Sequence, residues 1–154
     1  MKMENMSIRE AMMDDCHSIA ALMTQLGYET DEQTMAGRLQ FILEAPDYQT
    51  YVAICEGQVV GLVGTRTGYL YEDDGLYGQI MVLVVDKTLR RKGIGEALMQ
   101  QAEIVLREAG VTTIVITTGN YRSAAHAFYE KLGYEPTGRR YKKSIRSWRK
   151  RGDT

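Results

Sequence analysis

The segment LVVDKTLRRKGIGEALMQQAEIVL, residues 83–106, constrains this chain more than any other. It takes up an apolar run, residues 80–85, that suits a buried strand and is far too short to span a bilayer. Asp86 and Lys87 end the run, and three cations follow. Gly93-Ile94-Gly95 then opens a stretch with Ile94, Leu98, Ala102, Val105, Leu106 and Ala109 at helical spacing. Strand, basic turn and helix are therefore expected in direct succession. The first N–H groups of a helix have no partner within it, and the helix dipole makes that end positive. Glycines there let a ligand approach the backbone closely. Together these features predict an anion site, most usefully for a phosphate. The helix end supplies about 0.3–1 kcal/mol when exposed and up to about 2 when partly buried. Arg90, Arg91 and Lys92 would add the rest through charge-assisted hydrogen bonds.

The remaining pattern gives this segment a frame. Residues 7–11 read as a first strand. Asp14 or Asp15 can cap a helix carrying Ile19, Leu22, Met23 and Leu26 on one face, with Gly27 as its stop. Thr30-Asp31-Glu32-Gln33 has capping-box spacing and starts a second helix that ends before Pro46. Residues 51–55 and 59–67 read as a hairpin across Glu56-Gly57. Glu72 to Gly75 is a turn, and residues 79–85 form a strand apolar enough for burial on both faces. The third helix stops at Gly110, and the β-branched residues 111–117 read as another central strand. A fourth helix runs from Asn120 to Gly133, and residues 134–145 hold the last strands. The expected fold is α+β, a central mixed and mostly antiparallel sheet flanked by about four helices.

At 154 residues, with 44% hydrophobic and 25% charged residues, the chain suits one globular domain over 1–154. Cys16 and Cys55 form no CxxC pair and read as small hydrophobes in a reducing compartment. The start, MKMENMSIRE, lacks an apolar core of signal-peptide length, so a cytoplasmic protein without a membrane partner is expected. Residues 139–154 hold eight Lys or Arg and one acid, a charge of +7; with a net charge of −1, the other residues carry −8. This basic end reads as a solvated terminus. No zinc-finger spacing or RNA-binding aromatic signature accompanies it, so neither a metal site nor a nucleic-acid partner is expected. A homodimer stays open.

Which phosphate the turn would hold is narrowed by what it lacks. A dinucleotide fingerprint needs a third glycine where Leu98 stands, and a P-loop needs Gly-Lys-Ser/Thr, which never occurs. A second segment, NYRSAAHAFYEKLGYEPTG, residues 120–138, places Ala124, Phe128 and Leu132 on an apolar helix face. Tyr129 falls at its edge, with Arg122 and His126 just beyond.

With both segments in view, the sequence resembles the GNAT superfamily of N-acetyltransferases. RRKGIG, residues 90–95, is similar to the family's acetyl-CoA signature, and AHAFYEKLGYEPTG is similar to its second common segment. Gly95 and Tyr129 lie 34 positions apart, with a helix and a strand between them. The resemblance implies the family's acyl-CoA N-acyltransferase fold and acetyl-CoA as cosubstrate. It implies that Arg90, Arg91, Lys92, Gly93, Ile94, Gly95 and Glu96 hold the pyrophosphate, mainly through main-chain N–H groups. It also implies that the backbone of Leu83, Val84 and Val85 pairs with the pantetheine arm as an added strand would. Asn120 matches a cofactor-contacting position, His126 reads as a cofactor-side or helix-surface residue, and Tyr129 matches the tyrosine that protonates the departing thiolate.

The implied reaction is direct attack of a primary amine upon the thioester, and the −8 charge outside the basic end, with the acids at 72–74, adds the expectation of a small cationic acceptor. One departure stands out: many family members carry a Glu in the fourth strand where this chain reads Ile80-Met81-Val82-Leu83-Val84-Val85. The general base is therefore unassigned. Glu72, Asp73 and Asp74 are alternatives to a solvated turn at the acceptor mouth. A non-catalytic acyl-CoA sensor is the competing reading.

Overall fold

The computed structural model describes residues 5–117, 123–138 and 141–145. Two compact units divide the chain, Met1–Thr118 and Gly119–Thr154.

The first unit is built on a five-stranded sheet in the order β1-β2-β3-β4-β5: β1 (Met6–Glu10), β2 (Tyr48–Cys55), β3 (Gln58–Tyr69), β4 (Leu76–Val85) and β5 (Val111–Ile116). Neighbours run antiparallel except β4 and β5, which are parallel. The mixed, mostly antiparallel sheet is the one expected. Glu56 and Gly57 turn the β2–β3 hairpin with both φ angles positive, at 50° and 79°. That is the backbone a tight two-residue turn demands of a twisted hairpin.

Three helices join this sheet: α1 (Cys16–Leu26), α2 (Glu32–Glu44) and α3 (Ile94–Glu108). Ile19 and Leu22 of α1 and Met35 and Leu39 of α2 bury against Val52, Leu62 and Val84. Gly61, next to Leu62, faces the other way: a Cβ there would stand 2.8 Å from Leu98 of α3. The alternation of a strand therefore places α1 and α2 on one face and α3 on the other. Gly78 repeats the arrangement, with Leu106 2.8 Å from its missing Cβ. Ile94, Leu98, Ala102 and Leu106 of the expected stripe are buried, joined by Met99.

Several boundaries move. No side-chain hydrogen bond caps α1. Instead Arg9 donates from both terminal nitrogens to the two Asp15 oxygens at 2.8 Å each, and the Met12 N–H donates to Asp15 at 2.9 Å. Asp15 is thereby spent on pinning β1 to the entry of α1. The cap of α2 is Asp31, which accepts from the Thr34 N–H at 2.7 Å. Thr30, expected there, donates its hydroxyl to the Tyr28 carbonyl at 2.6 Å.

β4 begins at Leu76, three residues earlier than the expected strand start at Gln79, because pairing with β3 continues through Tyr77 and Gly78. It is not buried on both faces: Met81 keeps 40% of its surface exposed. β5 is the edge strand among the described residues, not a central one, and Thr112 and Thr113 are exposed. β-branching reported strand conformation there, not burial.

The second unit contains α4 (Ser123–Lys131), followed by Gly133 at φ 94°. Residues 134–138 and 141–145 join no ladder among the described residues, so the last strands expected from 134–145 are not found there. Pro136 lacks a ladder donor, and Tyr141 and Ile145 are exposed.

Candidate functional site

The turn after β4 is anchored before it becomes unusual. The Asp86 N–H donates to the Val60 carbonyl at 2.8 Å, and the Lys87 N–H donates to Gln25 of α1 at 2.9 Å. Asp86 also accepts from the Thr88 N–H at 2.9 Å and the Thr88 hydroxyl at 2.8 Å. Those two bonds hold its carboxyl below the ordinary carboxylate range, although burial opposes them. Leu89 is buried beneath the turn. Above this base Arg91 takes φ 67° and Gly93 φ 85°. A left-handed arginine costs roughly 1–3 kcal/mol and persists only where its surroundings enforce it.

α3 then starts at Ile94 with Gly93 as its cap residue and no capping side chain. The N–H groups of Ile94, Gly95 and Glu96 thus have no acceptor within the helix. Arg90, Arg91 and Lys92 stand exposed around them. The uncapped helix start and the flanking cations expected from the sequence are both present, and the left-handed Arg91 is an addition that no sequence signal announced.

The strand leading into the turn offers a second kind of binding group. β5 pairs with β4 only as far as Ile80 among the described residues, where the Thr117 N–H donates to the Ile80 carbonyl at 3.3 Å. Beyond that point β4 is paired on its β3 side alone among the described residues. Since Asp86 bonds to Val60, the alternation of an antiparallel ladder turns the backbone groups of Val84 toward β3 and those of Leu83 and Val85 outward. The Val85 carbonyl accordingly accepts from the Arg90 Nε at 3.4 Å. Of the three residues expected to offer their backbone, Leu83 and Val85 present theirs to the open edge.

At Met81 the β3–β4 register slips: Gly64 pairs with Val82 and Thr65 with Ile80, leaving Met81 as the extra residue of a bulge. Met81 and Val82 line a cavity of about 210 Å³. Its walls come from Ile19 and Met23 of α1, from α2, and from Thr50 of β2 and Thr65 of β3. Residues 28–34 and 68–77 contribute nothing to its lining. Arg38 is the only charged residue on its wall among the described residues. Glu72, Asp73 and Asp74 are exposed and line no part of it, and Asp73 accepts from the Asp74 N–H at 2.8 Å as in a solvated turn.

The two thiols, Cys16 and Cys55, lie outside this lining as well. Burial and the Glu32 carboxylate raise Cys16, so it keeps its proton at neutral pH and is a poor nucleophile. No group of metal-ligating residues and no helix of membrane-spanning length and apolarity occurs among the described residues.

In the second unit Phe128 and Tyr129 are half-buried and meet edge to face with ring centroids 5.4 Å apart; Tyr134 packs on Tyr129 at 6.4 Å. The Tyr134 N–H donates to the Tyr129 carbonyl at 3.0 Å and closes the helix end. His126 is exposed. Asn120 and Arg122 lie outside the described residues.

Residues 12–134 match the Acetyltransferase (GNAT) family. The aminoalkylphosphonate N-acetyltransferase of Salmonella typhimurium is 30% identical over 139 residues, 90% of this chain and 90% of that one. This chain belongs to the GNAT acetyltransferase family. It is thus an acyltransferase of a known kind, and solved structures carry the same fold. A GNAT family acetyltransferase of Staphylococcus aureus superposes with a TM-score of 0.77 at 24% identity, covering 91% of this chain and 98% of that one. An aminoglycoside N-acetyltransferase in complex with CoA gives 0.79 at 18% identity, covering 90% and 93%.

Proposed function

We propose that this GNAT protein transfers the acetyl group of acetyl-CoA to the primary amine of a small acceptor by direct attack. The observation that carries the reading is the continuity of β4. One strand links the bulge and cavity at Met81, a backbone edge at Leu83 and Val85 that no strand pairs among the described residues, and the uncapped start of α3. A thioester with a long amide-bearing arm and a pyrophosphate needs those three features in that order. The N–H groups from Arg91 to Glu96, with Arg90 and Lys92, hold the phosphates, and Leu83 and Val85 bond the arm. The CoA-bound structural relative has the same fold and supports this assignment.

The amine enters the cavity beside Met81. At about 210 Å³ it is smaller than the roughly 300–1,000 Å³ of drug-sized pockets, which favours a compact acceptor over an aminoglycoside. The Salmonella relative, named for aminoalkylphosphonates, supports the same scale. The acceptor arrives as an ammonium ion, drawn by the −8 charge of residues 1–138. An amine of lysine-like pKa, about 10.4, costs roughly 4 kcal/mol to deprotonate at pH 7. No carboxylate lines the cavity among the described residues. The proton therefore leaves through water, or the acceptor is less basic than lysine.

Tyr129 serves as the acid that protonates the departing thiolate, since a phenol carries its proton at neutral pH. Asn120 and His126 are assigned to the donor side. The family match crosses from residue 12 to 134 and so favours one domain spanning both units. Two thiols favour a reducing, cytoplasmic setting.

The test is CoA release from acetyl-CoA across a panel of small primary amines, with Tyr129→Phe alongside. Turnover that falls about 10²–10⁴-fold in the Phe variant, with acetyl-CoA affinity retained, is the expected result. Turnover within about twofold of the parent would remove Tyr129 from the chemistry. No turnover on any amine would leave the non-catalytic sensor as the better account.

A further inference from the structure

Resting on the acetyl-transfer reading above, we infer that the acceptor carries an anionic group at the end remote from its amine, and that Arg38 selects it. The cavity is apolar on most of its wall. Met23, Met35, Leu39 and Ile42 would cover a short hydrocarbon chain. Its uncharged polar groups, Thr50 and Thr65 among them, offer hydroxyls but no charge, and no Asp or Glu lines it among the described residues.

Arg38 on α2 is the exception. It is exposed, lines the cavity, and makes no ion pair or hydrogen bond among the described residues. Asp31 feels its charge but is already committed to the Thr34 N–H at 2.7 Å. An exposed guanidinium with no bonded counter-ion among the described residues, on the wall of an apolar cavity, repels a second ammonium and offers a planar fork to a carboxylate or phosphonate. The cationic acceptor anticipated from net charge thus describes one end of the molecule only. The geometry points to an ω-amino acid or its phosphonate analogue, amine toward Met81 and anion toward Arg38.

A second cavity, of about 270 Å³, shares Tyr48 and Thr50 with the first and carries Glu10 and Glu44. It contains no residue of β3 or β4, so an amine held there would be off the bulge. It defines the rival outcome: a diamine, with one ammonium held by those acids.

The full chain is assayed with acetyl-CoA and four amines of similar length: butylamine, 4-aminobutanoate, 3-aminopropylphosphonate and 1,4-diaminobutane. The two anionic amines should exceed butylamine in kcat/KM by about 10- to 100-fold, the worth of one charge-assisted pair. Arg38→Gln should erase that margin by raising the KM of the two anionic amines at least tenfold more than that of butylamine, with the KM for acetyl-CoA held; Arg38→Lys should restore part of it. Preference for the diamine, or an equal loss on all four amines in Arg38→Gln, overturns the inference. If no amine turns over, the acetyl-transfer reading fails instead. Calorimetric titration of 4-aminobutanoate into the CoA-saturated protein then decides: binding that Arg38→Gln abolishes sustains the charge assignment, and no binding ends it.

Discussion

After Val85, β4 enters a turn whose proposed working atoms are backbone N–H groups of neighbouring residues, from Arg91 to Glu96. At Met81 the same strand floors a cavity whose walls come from α1, α2, β2 and β3, spread over residues 19 to 82. The first site is written contiguously and made of backbone; the second is assembled by folding and made of side chains. They should therefore fail under opposite kinds of substitution. Backbone geometry governs the turn, where most side chains can be exchanged, whereas side-chain identity and helix placement govern the cavity.

The sharpest test of that contrast is Gly93→Val. Gly93 sits at φ 85° with no atom within 4 Å of an added Cβ, so valine meets backbone strain there and not crowding within the chain. Acetyl-CoA at a hundredfold excess over its Kd stabilises a protein that binds it by about 2.7 kcal/mol. That shift should vanish in Gly93→Val, and equally in Gly95→Val, where the side chain blocks approach to the helix start. Lys92→Ala should keep most of it. A Val variant that still shows the parent's thermal shift would break the assignment of the turn.

The same contrast explains what the sequence made legible. RRKGIG announced its helix start, its charge and its open backbone within six residues, and only the left-handed Arg91 escaped notice. Glycine is the usual marker of positive φ, and nothing in Arg-Arg-Lys replaces it. The hairpin at Glu56-Gly57 was legible for the same local reason. The cavity was not, because Arg38, Thr50, Thr65 and Met81 converge only through the packing of α1 and α2 and a register slip in β4. The Thr30–Asp31 cap was misplaced by one residue because both side chains can accept from a helix N–H. Thr30 has a nearer partner in the Tyr28 carbonyl, which leaves Asp31 the cap. The strands expected over residues 134–145 join no ladder among the described residues, and Pro136, which lacks a donor, is the local signal against them.

The cavity end depends on α1 being held at its entry, where Asp15 is buried and Arg9 keeps 38% of its side chain in solvent. The Arg9 hydrogen bonds, above all, hold the Asp15 carboxyl below its ordinary range, against the cost of its burial. A folded carboxyl with a lowered pKa stabilises the fold fully above the unfolded value, about 3.9, and loses that contribution as pH falls through the folded value. Asp15→Asn should therefore cost about 1–3 kcal/mol at pH 7. The gap between parent and variant should close on acidification below about pH 4. Melting curves from pH 7 to pH 2.5 measure it. A gap that stays constant down to pH 2.5 would mean that the ion pair contributes nothing pH-dependent.

The smallest effect belongs to the cap of α2. Asp31 is fully exposed, so its worth lies in one hydrogen bond to the Thr34 N–H rather than in buried charge. Asp31→Ala should lower the Tm by about 2–4 °C, while Asp31→Ser, which can accept the same bond, should recover most of that loss. α2 supplies Met35, Arg38, Leu39 and Ile42 to the cavity and nothing to the turn. Fraying its first turn should therefore raise the KM for the amine severalfold and leave the KM for acetyl-CoA where it was. Steady-state titrations of both substrates in Asp31→Ala and Asp31→Ser measure the split. Equal increases for the two substrates would mean that the ends of β4 are coupled through the helix layer, and the division between a backbone site and a side-chain site would have to be given up.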